Sequence, residues 1–328
     1  MTHHPTAIAQ ADTRLYYTAL EAAVRAEGVL RGCVRLTGRD RAALLQRLTT
    51  NDIEGLTPGT GARTVLLNNA ARILDLLTVY ALPEQLLVTT SVGQGTTLTR
   101  FLRGKIFFND QVEVEDLSEQ IAHHVLYGPR AAALIAELTG LNARDWPLHH
   151  IQAATLNGAT VWLARTLPLG GDGFLILAEQ AAQAQVSAML AELPALDAST
   201  LEVLRVEQGY PAPRRELSTE YIPLESGLYD AISFTKGCYV GQEIIARMES
   251  RRRLAKRLMG LRLEHALAPG GHLQYEGREA GDLTSVALSP RFGPIALAYV
   301  RTFAAVPGTR IDLPDGSSAT VVALPFGT

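Results

Sequence analysis

The densest run of reactive residue types is Phe234-Thr235-Lys236-Gly237-Cys238-Tyr239-Val240-Gly241-Gln242-Glu243. A thiol flanked by glycine and tyrosine follows a lysine two positions earlier. Ile244, Ile245 and Met248 come next at helical spacing, which predicts a helix starting near Gly241. Cys238 would then stand close to that helix's N-terminus. The partial positive charge there and a nearby ammonium both favour thiolate over thiol. On this reading Cys238 and Lys236 are the candidate catalytic residues, with the cysteine acting as nucleophile or metal contact. An inert cysteine packed in a glycine-shaped turn is the open alternative.

Other reactive residues are more dispersed. Cys33 lies far from Cys238, too few thiols for a disulfide framework or a CxxC metal pair. The histidines fall as doublets (His3–His4, His123–His124, His149–His150) plus His265 and His272. Adjacent side chains diverge on a strand or a helix, so surface imidazoles are expected and no metal site. Arg247, Arg251, Arg252, Arg253, Lys256 and Arg257 form a basic run, read as a solvated connector or as a binder of an acidic group. Gly93-Gln94-Gly95 is too short for a nucleotide fingerprint.

The elements that position these residues begin with a strand over Val29–Leu36 and a helix capped by Asp40 with Ala43, Leu44, Leu45 and Leu48 inward. Strands follow at Arg63–Leu67, Ile73–Tyr80 and Leu86–Ser91, then a helix at Gln94–Arg103 and a strand at Val112–Glu115. A second unit of similar kind has a strand at His123–Tyr127 and a helix opened by Pro129 and closed by Gly140. A hairpin pairs Val161–Arg165 with Phe174–Ala178. Helices are expected at Glu179–Glu192 and Ser199–Gln208, the latter with Ser199 and Glu202 in capping-box spacing. From about Arg257, six short strand candidates separated by Gly, Pro and Asp argue for a small all-β barrel. The whole reads as α+β, with 1–246 holding two interlocked lobes divided near 118–123, and 247–328 the barrel.

At 328 residues the chain can build several cores, and 47 % apolar with 19 % charged residues is ordinary for a globular protein. A net charge of −3 offers no general attraction to nucleic acid or anionic lipid. No apolar run is long enough for a membrane span, and Met1–Gln10 lacks the pattern of a secretion signal. A reducing cytoplasm is the expected setting.

Lys236 to Glu243 resembles, unbroken, the Lys-Gly-Cys-Tyr-x-Gly-Gln-Glu signature of the YgfZ family of iron–sulfur assembly proteins. Most of the chain resembles the wider family that includes the glycine-cleavage T-protein. The matching stretches are Val34–Asp40 with Thr49-Thr50-Asn51-Asp52, Leu66-Leu67-Asn68 with Arg72–Asp75, and Leu204–Tyr210 before Ile222–Glu225. The resemblance implies a tri-lobed T-protein-like fold: two ferredoxin-like α+β lobes and a barrel around a central opening holding tetrahydrofolate or a one-carbon derivative. It implies Glu207 as the pterin residue, since a carboxylate matches the ring N–H and exocyclic amine of a pterin. Tyr210, Tyr239, Gln242 and Arg247 are the further folate contacts expected. The T-protein carries adjacent aspartates where this chain has Asp75-Leu76, and the second is its catalytic acid. Leucine can neither hydrogen-bond nor carry charge, and Asp75 faces away from its neighbour on a strand, so Asp75 is read as structural.

Together these features predict a monomeric, cytoplasmic, tetrahydrofolate-binding accessory protein for iron–sulfur cluster assembly or repair. Its expected partners are folate and iron–sulfur client or assembly proteins, with neither membrane nor nucleic acid. Three rival readings stand: a folate-dependent aminomethyltransferase, which Leu76 opposes, a folate-free scaffold and an RNA-binding protein.

Overall fold

The computed structural model describes residues 8–26, 32–251 and 254–327. Val29–Arg31 of the first expected strand, Arg252 and Arg253 of the basic run, and His3–His4 lie outside the described residues. The chain divides into two compact units. One comprises Tyr17–Leu196 and Asp230–Gln242; the other comprises Met1–Tyr16, Asp197–Tyr229 and Glu243–Thr328. Residue 246 falls within the helix Gln242–Arg251.

The first unit contains two sheets. In one, Gly61–Leu67, Ile73–Ala81, Gln85–Thr90, Gly32–Thr37 and Glu113–Asp116 lie side by side in that order, each antiparallel to its neighbour. Helix Arg41–Leu48 contributes Leu44, Leu45 and Leu48 to the core, and helix Gly95–Arg103 contributes Leu98 and Leu102. They join Val34, Leu36, Leu77, Val79 and Val88 of the strands. Asp40 precedes the first helix as expected, but its carboxylate makes no cap bond and instead accepts from the Gln111 amide at 2.7 Å.

The second sheet runs Ala195–Leu196, Val24–Ala26, Ile121–Gly128, Asp172–Glu179, Ala159–Arg165 and Ile151–Leu156. The expected hairpin is present, with Arg165 opposite Phe174. Helix Ala131–Thr139 packs Ala131, Ala132 and Ile135 with Phe174 and Ile176. The amide of Ile151, in this sheet, donates to Gly59 at 2.9 Å, just before the first strand of the other. His149 is buried rather than a surface imidazole.

In the other unit, all six expected strands form: Lys256–Leu263, His272–Tyr275, Arg278–Ser289, Gly293–Arg301, Arg310–Asp312 and Ser318–Val322. The long strand Arg278–Ser289 pairs with both His272–Tyr275 and Gly293–Arg301, which closes the ring into a barrel. Its interior is filled by Leu261, Leu273, Ala280, Ala296, Ala298, Val300, Ile311 and Val321. A short strand, Ala9–Gln10, adds in parallel at Ala287–Leu288.

Helix Ala198–Gln208 belongs to the same unit. Its cap is not the expected Ser199 box: Asp197 accepts from the Thr200 amide at 2.6 Å. An aspartate in extended backbone satisfies the first-turn donor from two residues before the expected cap. Glu202 is thereby released to pair with Arg205 and Arg215. Gly209 ends the helix with φ of 72°, where a Cβ would meet Leu324 at 2.8 Å, so glycine fits both conformation and space.

Candidate functional site

The reactive run lies in the first unit, on a loop fastened to the segment that leaves helix Arg41–Leu48. Thr50 Oγ1 accepts from the Val65 amide at 2.9 Å and donates to the Ala231 carbonyl at 2.6 Å. The Ser233 amide donates to the Thr50 carbonyl at 3.0 Å. Asn51 Nδ2 donates to the carbonyls of Arg63 at 2.7 Å and Asp230 at 3.0 Å. Arg63 grips the Asp230 carboxylate through Nε at 2.9 Å and Nη2 at 2.6 Å. The Thr49-Thr50-Asn51-Asp52 stretch is thus a platform for the cysteine loop.

Lys236 completes this attachment. Its Nζ donates to the carbonyls of Gln46 at 2.6 Å, Thr49 at 2.8 Å and Asn51 at 2.5 Å. It also lies 5.2 Å from the Tyr239 ring centroid, within cation–π range. Burial pushes the ammonium down to about 8, with Asp52 and Glu54 pulling the other way, so it stays charged at neutral pH.

Tyr239 is buried and its hydroxyl is pushed up to about 12 by burial. Val240 packs on the core beneath the five-stranded sheet. Between these anchors Gly237 and Cys238 are both exposed, and a Cβ on Gly237 would meet nothing within 4 Å. The thiol therefore sits on a crest with both feet held. Cys33, by contrast, is fully buried and its thiol is pushed up to about 12, first by burial and then by Asp116. It is chemically quiet.

The expected helix begins at Gln242, after a turn in which the Gln242 amide donates to the Tyr239 carbonyl at 3.2 Å. Gly241 makes that turn with φ of 84° and its Cα closely backed by Ala71. Cys238 precedes the helix by more than its first turn, beyond most of the dipole's reach. Exposure, not the helix end, is what the fold gives this thiol. Gln242 is half-buried and Arg247 exposed.

Asp75 is buried and fully engaged. It accepts from the hydroxyls of Thr90 and Ser91, from the Ser91 amide at 3.2 Å, and from the Leu76 amide at 2.9 Å. A carboxylate with that many donors fixes the end of strand Gln85–Thr90.

Glu207 is in the other unit, buried near the end of helix Ala198–Gln208. The Tyr16 hydroxyl approaches both carboxylate oxygens, at 2.9 and 3.0 Å, and Ser289 Oγ donates to Oε1 at 2.5 Å. Burial raises the Glu207 carboxyl above its ordinary value, against the pull of these hydroxyls and of Arg291. The Phe326 amide donates to the Glu207 carbonyl at 2.8 Å, tying the helix to the last part of the barrel unit. Tyr210 is half-buried, its carbonyl bound by Arg205. Sequence reading did not anticipate Tyr16 or Ser289, which lie 191 and 82 positions from Glu207. Nothing in local pattern signals such partners.

An α+β chain with a closed barrel, a buried carboxylate on one unit and a presented thiol on the other has counterparts in fold and sequence among known proteins. The model of the GCVT N-terminal domain matches residues 28–236, and that of the glycine cleavage T-protein C-terminal barrel domain matches 256–326. A chloroplastic protein of Arabidopsis thaliana, named as a transferase of unstated substrate, is 32 % identical over 90 % of this chain and 69 % of its own length. The aminomethyltransferase of Saccharopolyspora erythraea is 31 % identical over 90 % of this chain and 84 % of its own. The crystal structure of the glycine cleavage system aminomethyltransferase T from Bartonella henselae superposes with a TM-score of 0.84. It covers 95 % of this chain and 88 % of that one at 22 % identity, a likeness of fold. The chain belongs to the glycine cleavage T-protein family. Among the described residues no helix is long and apolar enough to cross a membrane.

Proposed function

We propose that this chain is a tetrahydrofolate-binding protein of the YgfZ type that supports iron–sulfur proteins through Cys238. The observation that carries the reading is the crest: an exposed thiol between two buried feet, inside an unbroken Lys236–Glu243 signature. Support also comes from Leu76, which occupies the place of the T-protein's catalytic aspartate, while Asp75 is saturated by Thr90, Ser91 and Leu76.

The residues fit a reduced pterin. The Tyr16 proton is shared between both oxygens of Glu207, and among the described residues Oε2 receives no other bond, so that oxygen keeps acceptor capacity for a ring donor. Glu207 would hold the pterin edge. Tyr210, Tyr239, Gln242 and Arg247 remain the further contacts proposed. Folate supplies a carrier nitrogen for one-carbon units. The chain's own residues bind and orient it, and present Cys238 for thiol chemistry with a client.

A second reading, folate-dependent aminomethyl transfer, is favoured by the names of the relatives. Two experiments separate the readings. In cells lacking the protein, the wild type should restore iron–sulfur enzyme activity and C238A should not; full rescue by C238A removes the first reading. Purified protein should move no one-carbon unit from a lipoylated carrier to tetrahydrofolate, and transfer at a useful rate establishes the second. Titration with tetrahydrofolate should give saturable binding. Silence at high micromolar ligand favours a folate-free scaffold.

A further inference from the structure

We infer that Lys236 is a positioning residue, whose ammonium locks the Gly237–Cys238 crest onto the platform of Gln46, Thr49 and Asn51 so that the thiol stays presented to solvent. The inference rests on Cys238 being the working thiol. An ammonium has three hydrogens, and here each has its own carbonyl at 2.5–2.8 Å. No hydrogen is left to stabilise a thiolate at Cys238. The role expected from sequence, a cation activating the adjacent sulfur, is therefore replaced by one acting through the backbone.

The platform is suited to a cation. Gln46 lies in the last turn of helix Arg41–Leu48, where carbonyls lack intrahelical partners and the dipole's negative end is exposed. The chain beyond it turns the Thr49 and Asn51 carbonyls to the same point, with Asp52 and Glu54 near enough to favour positive charge. The contact with Tyr239 then joins the second foot of the crest to the first. A single side chain thus ties the platform, the approach to the crest and the departure from it. Removing it strands three carbonyls and frees the only two exposed residues between the anchors.

The test needs no iron–sulfur readout. In wild-type protein labelled with 15N-lysine, the Lys236 ammonium should give a slowly exchanging proton–nitrogen signal at neutral pH and low temperature; a freely rotating ammonium gives none. In K236M, the amides of Gly237–Val240 should exchange at least about tenfold faster. Alkylation of Cys238 by iodoacetamide in the native protein should change at least threefold, with buried Cys33 unreactive as internal control. K236R, which keeps a charged multiple donor, should restore part of both effects. Absence of the ammonium signal, or exchange and alkylation in K236M matching wild type, overturns the inference. Should K236M not fold, the wild-type signal decides alone. Failure of C238A to abolish rescue would sink the functional reading while leaving these measurements intact.

Discussion

The hydroxyl of Tyr16 reaches the carboxylate of Glu207 across 191 positions of sequence and bridges both of its oxygens. It joins the helix Thr13–Glu21 to the end of helix Ala198–Gln208. A carboxylate so enclosed has its rotamer set, which on the proposed reading preorganises it for the pterin.

Tyr16→Phe should therefore weaken tetrahydrofolate without contacting it. Losing one bond to a charged acceptor also costs about 1.5–3 kcal/mol of stability. Glu207→Ala should weaken folate by about 2–4 kcal/mol, the rough cost of leaving the ligand's buried donors unpaired. Calorimetric titration checks both, and unchanged affinity in Glu207→Ala moves the pterin elsewhere.

The raised Glu207 carboxyl gives a signature in pH. Its folded value lies above its unfolded one, so the folded chain holds the proton more tightly. The stability this contributes is complete below the unfolded value, near 4.5, and fades as pH rises through the folded value. Relative to Glu207→Gln, wild-type protein should lose stability over that window. Parallel urea-melt profiles for the two proteins would contradict the assignment.

Cys238→Ala should fold as wild type. The thiol is exposed, and surface substitutions away from special features usually stay within about 0.5 kcal/mol. Chemical denaturation checks this. A loss of several kcal/mol would show that the sulfur packs rather than reacts.

Glu216 is fully buried and accepts from Ser285 Oγ at 2.6 Å and the Ala212 amide at 2.9 Å, with Arg205 at 3.4 Å. Glu216→Ala should cost about 1–3 kcal/mol for each buried donor it leaves unpaired, the Ser285 hydroxyl and the Ala212 amide, while Arg205 keeps Glu202. Ser285→Ala should cost about 1–3 kcal/mol. Equilibrium unfolding measures both.

What the sequence made legible was whatever depends on local pattern. The six barrel strands follow from short apolar runs cut by Gly, Pro and Asp, and the helix at Gln242 from Gly241 and the apolar residues after it. The spacing of Ser199 and Glu202 misled, because Asp197 offered a better-placed cap two residues earlier. Strand Ile151–Leu156 and helix Thr13–Glu21 were not anticipated. Of the candidate residues, Cys238 stood out by residue type and Glu207 through the resemblance. The Lys236 platform did not, because its acceptors are main-chain carbonyls, which every residue possesses and only tertiary structure aims.

The parallel pairing of Ala9–Gln10 with Ala287–Leu288 has a consequence for biogenesis. The strand Ala9–Gln10 must wait for Ala287–Leu288 to be made before its edge is covered. That contact joins residues 278 positions apart (Ala9 and Ala287), a closure that slows assembly and leaves an unpaired edge in the interim. Nascent chains halted before the barrel should accordingly be held by chaperones longer than those released after it.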